Sequence, residues 1–160
     1  MMETRIVRLV EKLERGKLKT LEILGNLKDG QWQQIVYQQP AWQIRDLLAH
    51  FVYSEEQLLA LYQSIVKDGP GAKEGIDIDR YNAEEQKKLE GIKPFFLLER
   101  LKQARNETIA WVRSLSEEQL DKVGRHPVLG EINVEIMIEA IYGHQLLHMR
   151  DLARFLHGGE

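Results

Sequence analysis

Hydrophobic residues recur every three to four positions along most of the chain, which is the spacing of one face of an α-helix. The long segments with this pattern run from Glu3 to about Leu24, from Trp42 to Lys67, from Lys93-Pro94 to Leu115, and from Asn133 to Leu156. No segment is a convincing strand. Four such helices predict an all-α four-helix bundle with longer crossover connections and short extra helices. The length of 160 residues suits one domain, so residues 1–160 are predicted to form a single bundle.

The connections between these helices carry turn signals and caps of their own. Asn82 followed by Glu85 resembles a capping box, which predicts a short helix that ends near Glu90. In chain order, the other predicted features are a loop from Gly69 to Asp79, a short helix capped by Ser116 and Gln119, and an irregular crossing from Gly124 to Gly130.

The residue composition limits the chemistry that the chain can perform. It contains no cysteine and five histidines, so any metal must be held by His, Asp or Glu. The net charge of −3 lacks the basic excess of most nucleic-acid binders, and we expect no nucleic-acid partner. No run of about 18 apolar residues is present, which argues against a membrane-spanning helix. The N-terminal residues show no secretory signal, so a cytoplasmic location is the default expectation.

Three of the histidines fall on helix faces that can converge. His148 lies within the apolar stripe of the last helix, and His144 lies one turn earlier on its flank. His50 flanks the stripe of the second helix. Three imidazoles from two helices can form a divalent metal site with an open coordination position. Such histidines can equally be hydrogen-bonded core or surface residues. His126 and His157 are predicted to face solvent.

Two aspartates stand close to these histidines in sequence. Asp46 precedes His50 by one helical turn and could accept a hydrogen bond from its imidazole, or it could be a surface carboxylate of the first turn. Asp151 could do the same for His148, or it could pair with Arg150 or Arg154. Both are candidates for orienting a metal ligand, and no catalytic residue is assigned.

Two segments of the chain resemble the DinB-like superfamily, which includes YfiT-type metal-dependent hydrolases and bacillithiol- and mycothiol-dependent enzymes. Trp42 to His50 resembles the start of the second helix of that superfamily, although Gln43 stands where Ser or Thr is common. Gly143 to Leu152 resembles its last-helix signature, with two histidines separated by three residues. The resemblance implies a four-helix bundle, often dimeric, that binds zinc or nickel through His50, His144 and His148.

The resemblance leaves the reaction open between two classes of protein. One is a metal-dependent enzyme, either a thiol-dependent S-transferase or a hydrolase, acting on a small-molecule substrate. Since the chain has no cysteine, a low-molecular-weight thiol would have to arrive as a co-substrate. The other is a non-catalytic bundle of stress-response type that binds a metal or a small molecule. We expect a homodimer in either case.

Overall fold

The computed structural model describes residues 3–158 of the chain. The helices are α1 (Arg5–Gly25), α2 (Ile44–Val66), α3 (Ile78–Lys88), α4 (Pro94–Ser114) and α5 (Val134–Leu156), and the strands are β1 (Ile35–Gln38), β2 (Ala41–Gln43), β3 (Val123–His126) and β4 (Gly130–Asn133). Single 3₁₀ turns span Asp29–Gln31 and Glu118–Asp121. The predicted four-helix bundle is confirmed. Residues 1–2 and 159–160, at the ends of the predicted domain, lie outside the described residues.

The four long helices bury their apolar stripes against one another. Both α1 and α2 pack against α4 and α5, so α1 and α2 lie diagonally across the bundle. Leu13, Leu47, Leu97 and Met137, one from each long helix, are all fully buried. Packing of this kind contributes most of a helix's stability in a folded protein. It therefore fixes the relative positions of α2 and α5, which carry the candidate ligands.

The same order of elements occurs twice along the chain. A long helix, a 3₁₀ turn, a β-hairpin and a second long helix follow one another from α1 to α2 and again from α4 to α5. Each hairpin leads directly into its helix: the Ile44 amide donates to Gln34 O, and the Val134 amide donates to Lys122 O, each at 2.9 Å. Asn133 caps α5 by accepting from the Ile136 amide at 2.9 Å. Both histidine-bearing helices thus begin from an anchored hairpin.

The prediction that the chain contains no strand is wrong, because two antiparallel hairpins are present. β1 pairs with β2, and β3 pairs with β4 from Val123–Asn133 to His126–Gly130. The second hairpin replaces the irregular crossing predicted from Gly124 to Gly130. These strands are three or four residues long, and only β3 alternates in burial, with Gly124 and His126 inward in place of large apolar side chains. The period-two signal of a strand is therefore missing from the sequence.

The loop after α2 is held against the second hairpin by a close backbone contact. The Ala72 amide donates to Arg125 O at 2.8 Å. Gly71 has φ +88°, and a Cβ at this position would lie 2.5 Å from the Arg125 amide nitrogen. Only glycine combines this left-handed conformation with so close an approach. The predicted loop is thus a docked segment of the fold.

The short third helix begins earlier than predicted. Asp77 is its N-cap and accepts a hydrogen bond from the Arg80 amide at 3.1 Å, so the capping box predicted at Asn82 and Glu85 is wrong. An Asp cap satisfies a free amide of the first turn as well as Asn would. Asn82 consequently lies inside α3, where its side chain accepts a hydrogen bond from the Tyr53 hydroxyl at 2.9 Å.

Candidate metal centre

The three predicted histidines converge at one point between α2 and α5. His144 Nε2 lies 3.3 Å from His50 Nε2 and 3.0 Å from His148 Nε2. One nitrogen from each imidazole lies within 4.8 Å of the other two. Zinc–nitrogen bonds of 2.0–2.1 Å in a tetrahedral arrangement place two ligand nitrogens ~3.3 Å apart. The observed spacing therefore fits a single divalent ion held by three imidazoles.

The three imidazoles differ in exposure but share one charge state. His50 is buried, His148 is half-buried and His144 is exposed on the bundle surface. Burial, with the proximity of His144 and His148, lowers the pKa of His50 to about 3. Although part of the His144 side chain meets solvent, desolvation of its ring by the surrounding protein, with the proximity of His148, lowers the pKa of His144 to about 4. Burial also lowers the pKa of His148. All three are neutral at pH 7, and the neutral imidazole is the form that binds metal.

His148 has a two-member hydrogen-bonded support behind its ring. Its Nδ1 lies 2.7 Å from the hydroxyl of Tyr37, and that hydroxyl donates to Asp151 Oδ2 at 2.6 Å. Tyr37 belongs to β1, and its ring contacts the imidazole edge-on with centroids 5.6 Å apart. The first hairpin therefore reaches across to α5 and contacts one of the candidate ligands.

His50 has a similar support that comes from α2 and α3. Its Nδ1 lies 2.8 Å from the hydroxyl of Tyr53, which stands one helical turn later and donates to Asn82 Oδ1. The Ser54 hydroxyl lies 3.4 Å from the same imidazole nitrogen. Trp42 stacks at an angle against the ring, with centroids 4.9 Å apart. A ligand from α2 is thus oriented by neighbours on the first hairpin and on α3.

The two predicted aspartates have different surroundings. Asp46 accepts hydrogen bonds from the Gln43 amide at 2.9 Å and from Arg45 at 3.1 Å, so it caps the start of α2. The group that contacts His50 Nδ1 is the Tyr53 hydroxyl, not Asp46. Asp151 is linked to His148 through Tyr37, and Arg154 lies 3.9 Å from its other oxygen. Sequence reasoning missed both tyrosines. Tyr53 could have been predicted from its i,i+3 spacing to His50, whereas Tyr37 lies on a strand that the hydrophobic pattern does not reveal.

The other two histidines stand apart from this cluster. His157 follows α5 and is exposed, as predicted. His126 was predicted to face solvent, but it is buried at the end of β3. Its Nδ1 accepts hydrogen bonds from the Val128 and Leu129 amides, each at 3.1 Å. The hairpin turn folds over the ring, and the imidazole accepts from two backbone amides of that turn.

A groove of about 840 Å³ runs beside the histidine cluster. It lies between the turn of the first hairpin and α3, and its lining includes Pro40, Trp42, Asp79, Asn82 and Gln86. Trp42 stacks on His50, and Asn82 is bonded to the tyrosine that supports His50. One wall of the groove is therefore shared with the cluster.

The fold and the site together define a four-helix bundle with three converging imidazoles beside a groove. The chain belongs to the DinB superfamily, whose family model matches residues 12–152. No curated protein matches the sequence. None of the helices within residues 3–158 is long and apolar enough to cross a membrane.

Two solved structures share the fold of the whole chain at low sequence identity. YfiT from Bacillus subtilis, described as a probable metal-dependent hydrolase with an unusual four-helix bundle topology, has a TM-score of 0.72 and 17% identity. That match covers 98% of this chain and 90% of YfiT. The colibactin self-resistance protein ClbS, solved in complex with double-stranded DNA, has a TM-score of 0.70 and 15% identity, covering 91% of this chain and 93% of ClbS.

The ClbS complex overturns the expectation of no nucleic-acid partner, since it shows that a protein with this fold can bind double-stranded DNA. That expectation came from the net charge of −3, which sums over the whole surface and says nothing of how the charges are distributed. Four cations lie exposed at helical spacing along α1: Arg8, Lys12, Arg15 and Lys19. A net negative chain can therefore still present a row of positive charge.

Proposed function

We propose that His50, His144 and His148 bind one divalent metal ion, zinc or nickel, and that the protein is a metal-dependent transferase or hydrolase. The observation that carries this proposal is the convergence of three Nε2 atoms, 3.0 and 3.3 Å apart, from two helices. Three protein ligands leave a coordination position open, as in catalytic zinc sites. A divalent ion held there would supply Lewis acidity to a substrate or co-substrate.

The chain's own residues support binding of a substrate on the groove side of the cluster. Trp42 offers an apolar surface beside His50, and Asp79 and Asn82 offer polar groups along α3. Exposure of His144 leaves the cluster open to solvent from α5. A molecule in the groove would reach the imidazoles past Trp42 while its polar groups contact α3.

The surroundings of the cluster favour a nucleophile that loses its proton readily, without a general base supplied by the protein. A hydrolase needs a general base beside the ion. Asp46 is bonded in the cap of α2, and Asp151 accepts the Tyr37 proton. A thiol co-substrate loses its proton more readily than water does, because a free thiol has a pKa of about 8.5. We therefore place thiol-dependent transfer ahead of hydrolysis.

The test is a turnover screen of the zinc- or nickel-loaded protein against small electrophiles and esters, with and without several low-molecular-weight thiols. Transfer that requires both metal and thiol, and that is lost in His144→Ala, supports the proposal. His157→Ala is the matched control and should retain full activity. Thiol-independent ester cleavage would favour hydrolysis instead. A metal that raises thermal stability without any turnover across the screen would favour the non-catalytic bundle.

A further inference from the structure

The hydrogen bonds of Tyr37 have a fixed direction. A tyrosine hydroxyl carries one proton, and this one is donated to the Asp151 carboxylate, which can only accept. The hydroxyl must then accept from His148 Nδ1, 2.7 Å away. His148 therefore carries its proton on Nδ1, and its Nε2 presents a lone pair toward His144.

The hydrogen bonds of Tyr53, on the opposite side of the cluster, have the same direction. Its single proton is donated to Asn82 Oδ1 at 2.9 Å, so the hydroxyl accepts from His50 Nδ1 at 2.8 Å. The Nε2 of His50 then also presents a lone pair toward His144, at 3.3 Å. In the metal-free protein His144 can donate an Nε2 proton to one of these lone pairs, and a bound cation would be coordinated by both.

We infer that Tyr37 with Asp151, and Tyr53 with Asn82, are positioning relays that fix His148 and His50 in the tautomer that binds metal through Nε2. This inference rests on the proposed metal site and adds four residues to it. A histidine ligand is commonly oriented by a group bonded to its other nitrogen, and loss of that group lowers metal affinity 10–100-fold. Here the orienting group is a tyrosine hydroxyl whose own direction is set by a second partner.

The two relays differ in the charge behind the tyrosine. Tyr37 is backed by the Asp151 carboxylate, whereas Tyr53 is backed by the neutral amide of Asn82. A charged acceptor makes the stronger hydrogen bond. We therefore expect the greater contribution to metal affinity from Tyr37, which reaches the site from the first hairpin.

The first readout is the tautomer of each imidazole in the metal-free protein at pH 7.5, read from the ring nitrogens of ¹⁵N-histidine-labelled samples. His148 and His50 should both be protonated on Nδ1. Tyr37→Phe, which keeps the ring, should move His148 toward the Nε2-protonated form and leave His50 unchanged. A His148 protonated on Nε2 in the unaltered protein, or one that is unmoved by Tyr37→Phe, would overturn the inference.

The second readout is the dissociation constant for Zn²⁺ alone, measured by competition with a chelating dye. Tyr37→Phe and Asp151→Ala should each weaken zinc binding roughly 10- to 100-fold, and the double variant should be no weaker than the worse single variant. Independent packing roles would instead multiply the two losses and contradict the relay. Tyr142→Phe, which removes a hydroxyl from the part of α5 that contacts Lys12 on α1, should leave zinc affinity unchanged.

The two readouts separate failure of the relay from failure of the metal site. A protein that binds no zinc, while His148 is protonated on Nδ1 in a Tyr37-dependent way, would refute the proposed function and leave the hydrogen-bond direction standing. Tight zinc binding that is unaffected in both Tyr37→Phe and Asp151→Ala would refute the relay and leave the metal site standing. Asp151 is half-exposed, so its replacement tests the relay without disturbing the core.

Discussion

Arg105 on α4 donates two hydrogen bonds of 2.8 Å to the carboxylate of Glu55 on α2, and both side chains are buried. The remaining groups of this pair are also satisfied, because Arg105 donates to Leu13 O and Gln145 Oε1 and Thr108 donates to Glu55. Gln145 follows His144 directly in the chain. The pair therefore joins α1, α2, α4 and α5 immediately beside the histidine cluster.

Removing the charge of only one member of this pair should strongly destabilise the fold. Glu55→Gln leaves the Arg105 guanidinium buried without a counter-charge, and we expect a loss of about 3–5 kcal/mol in the free energy of unfolding. Urea denaturation followed by circular dichroism measures the change. Replacing both partners with Leu and Met should restore much of the loss, since buried ion pairs contribute less than the penalty of breaking them.

The neighbouring residue provides the matched control for that prediction. Glu56 pairs with Arg100 at 2.7 Å on a partly exposed surface. Glu56→Gln should therefore cost no more than about 1 kcal/mol. Equal losses for the substitutions at Glu55 and Glu56 would show that burial of the Arg105 pair has no special energetic role.

The buried His126 should make the protein sensitive to acid. Burial lowers the pKa of His126 below its ordinary value, so the folded state binds fewer protons than the unfolded state as the pH falls. The stability associated with the neutral ring is then complete above about pH 6.5 and declines below it, by at most about 1.4 kcal/mol per pH unit. His126→Asn retains an acceptor for the Val128 and Leu129 amides and cannot be protonated.

When the free energy of unfolding is plotted against pH, the curves of the unaltered protein and His126→Asn should therefore diverge as the pH falls from 7.5 to 5. The unaltered protein should lose stability faster, because other titrating groups are common to both proteins. His157→Asn, at an exposed position, should follow the unaltered protein. Parallel curves for the unaltered protein and His126→Asn would contradict the assigned burial effect.

Gly71 and Gly75 separate the effect of backbone conformation from that of a close contact. Both have positive φ, +88° and +70°, but only a Cβ at Gly71 meets other atoms, at 2.5 Å from the Arg125 amide nitrogen. Gly75→Ala should cost about 1–2 kcal/mol of unfolding free energy from the left-handed conformation alone. Gly71→Ala should cost more, because the loop must also move away from β3. Thermal denaturation of both variants checks the order, and equal losses would contradict the tight contact.

The sequence predicts the four long helices well because their apolar stripes are long, whereas the start of the short polar α3 is misplaced. The observed α2 and α5 differ from the predicted ranges by at most two residues at either end. The positions of His50, His144 and His148 relative to the apolar stripes of their helices are enough to bring them together once the bundle packs. The helical spacing of apolar residues is sufficient to predict this part of the site, because the apolar stripe of each helix determines which face packs inward.

The parts that the sequence does not predict depend on partners far along the chain. Tyr37 reaches His148 across 111 positions from a short strand with no periodic signal. His126 is buried only because the turn after β3 folds over it. Of the two roles that the sequence allows Asp46, it takes the cap of α2, because the Tyr53 hydroxyl lies against His50 Nδ1 instead. Contacts of this kind become visible only in three dimensions.

The central claim is that three imidazoles hold one divalent ion, and elemental analysis by mass spectrometry tests it most directly. The tag-free protein, purified without chelators and then equilibrated with zinc or nickel, should retain close to one ion per chain. His144→Ala should retain none, while His157→Ala should match the unaltered protein. Absence of bound metal from the unaltered protein after both ions have been offered, or full retention by His144→Ala, would contradict the account.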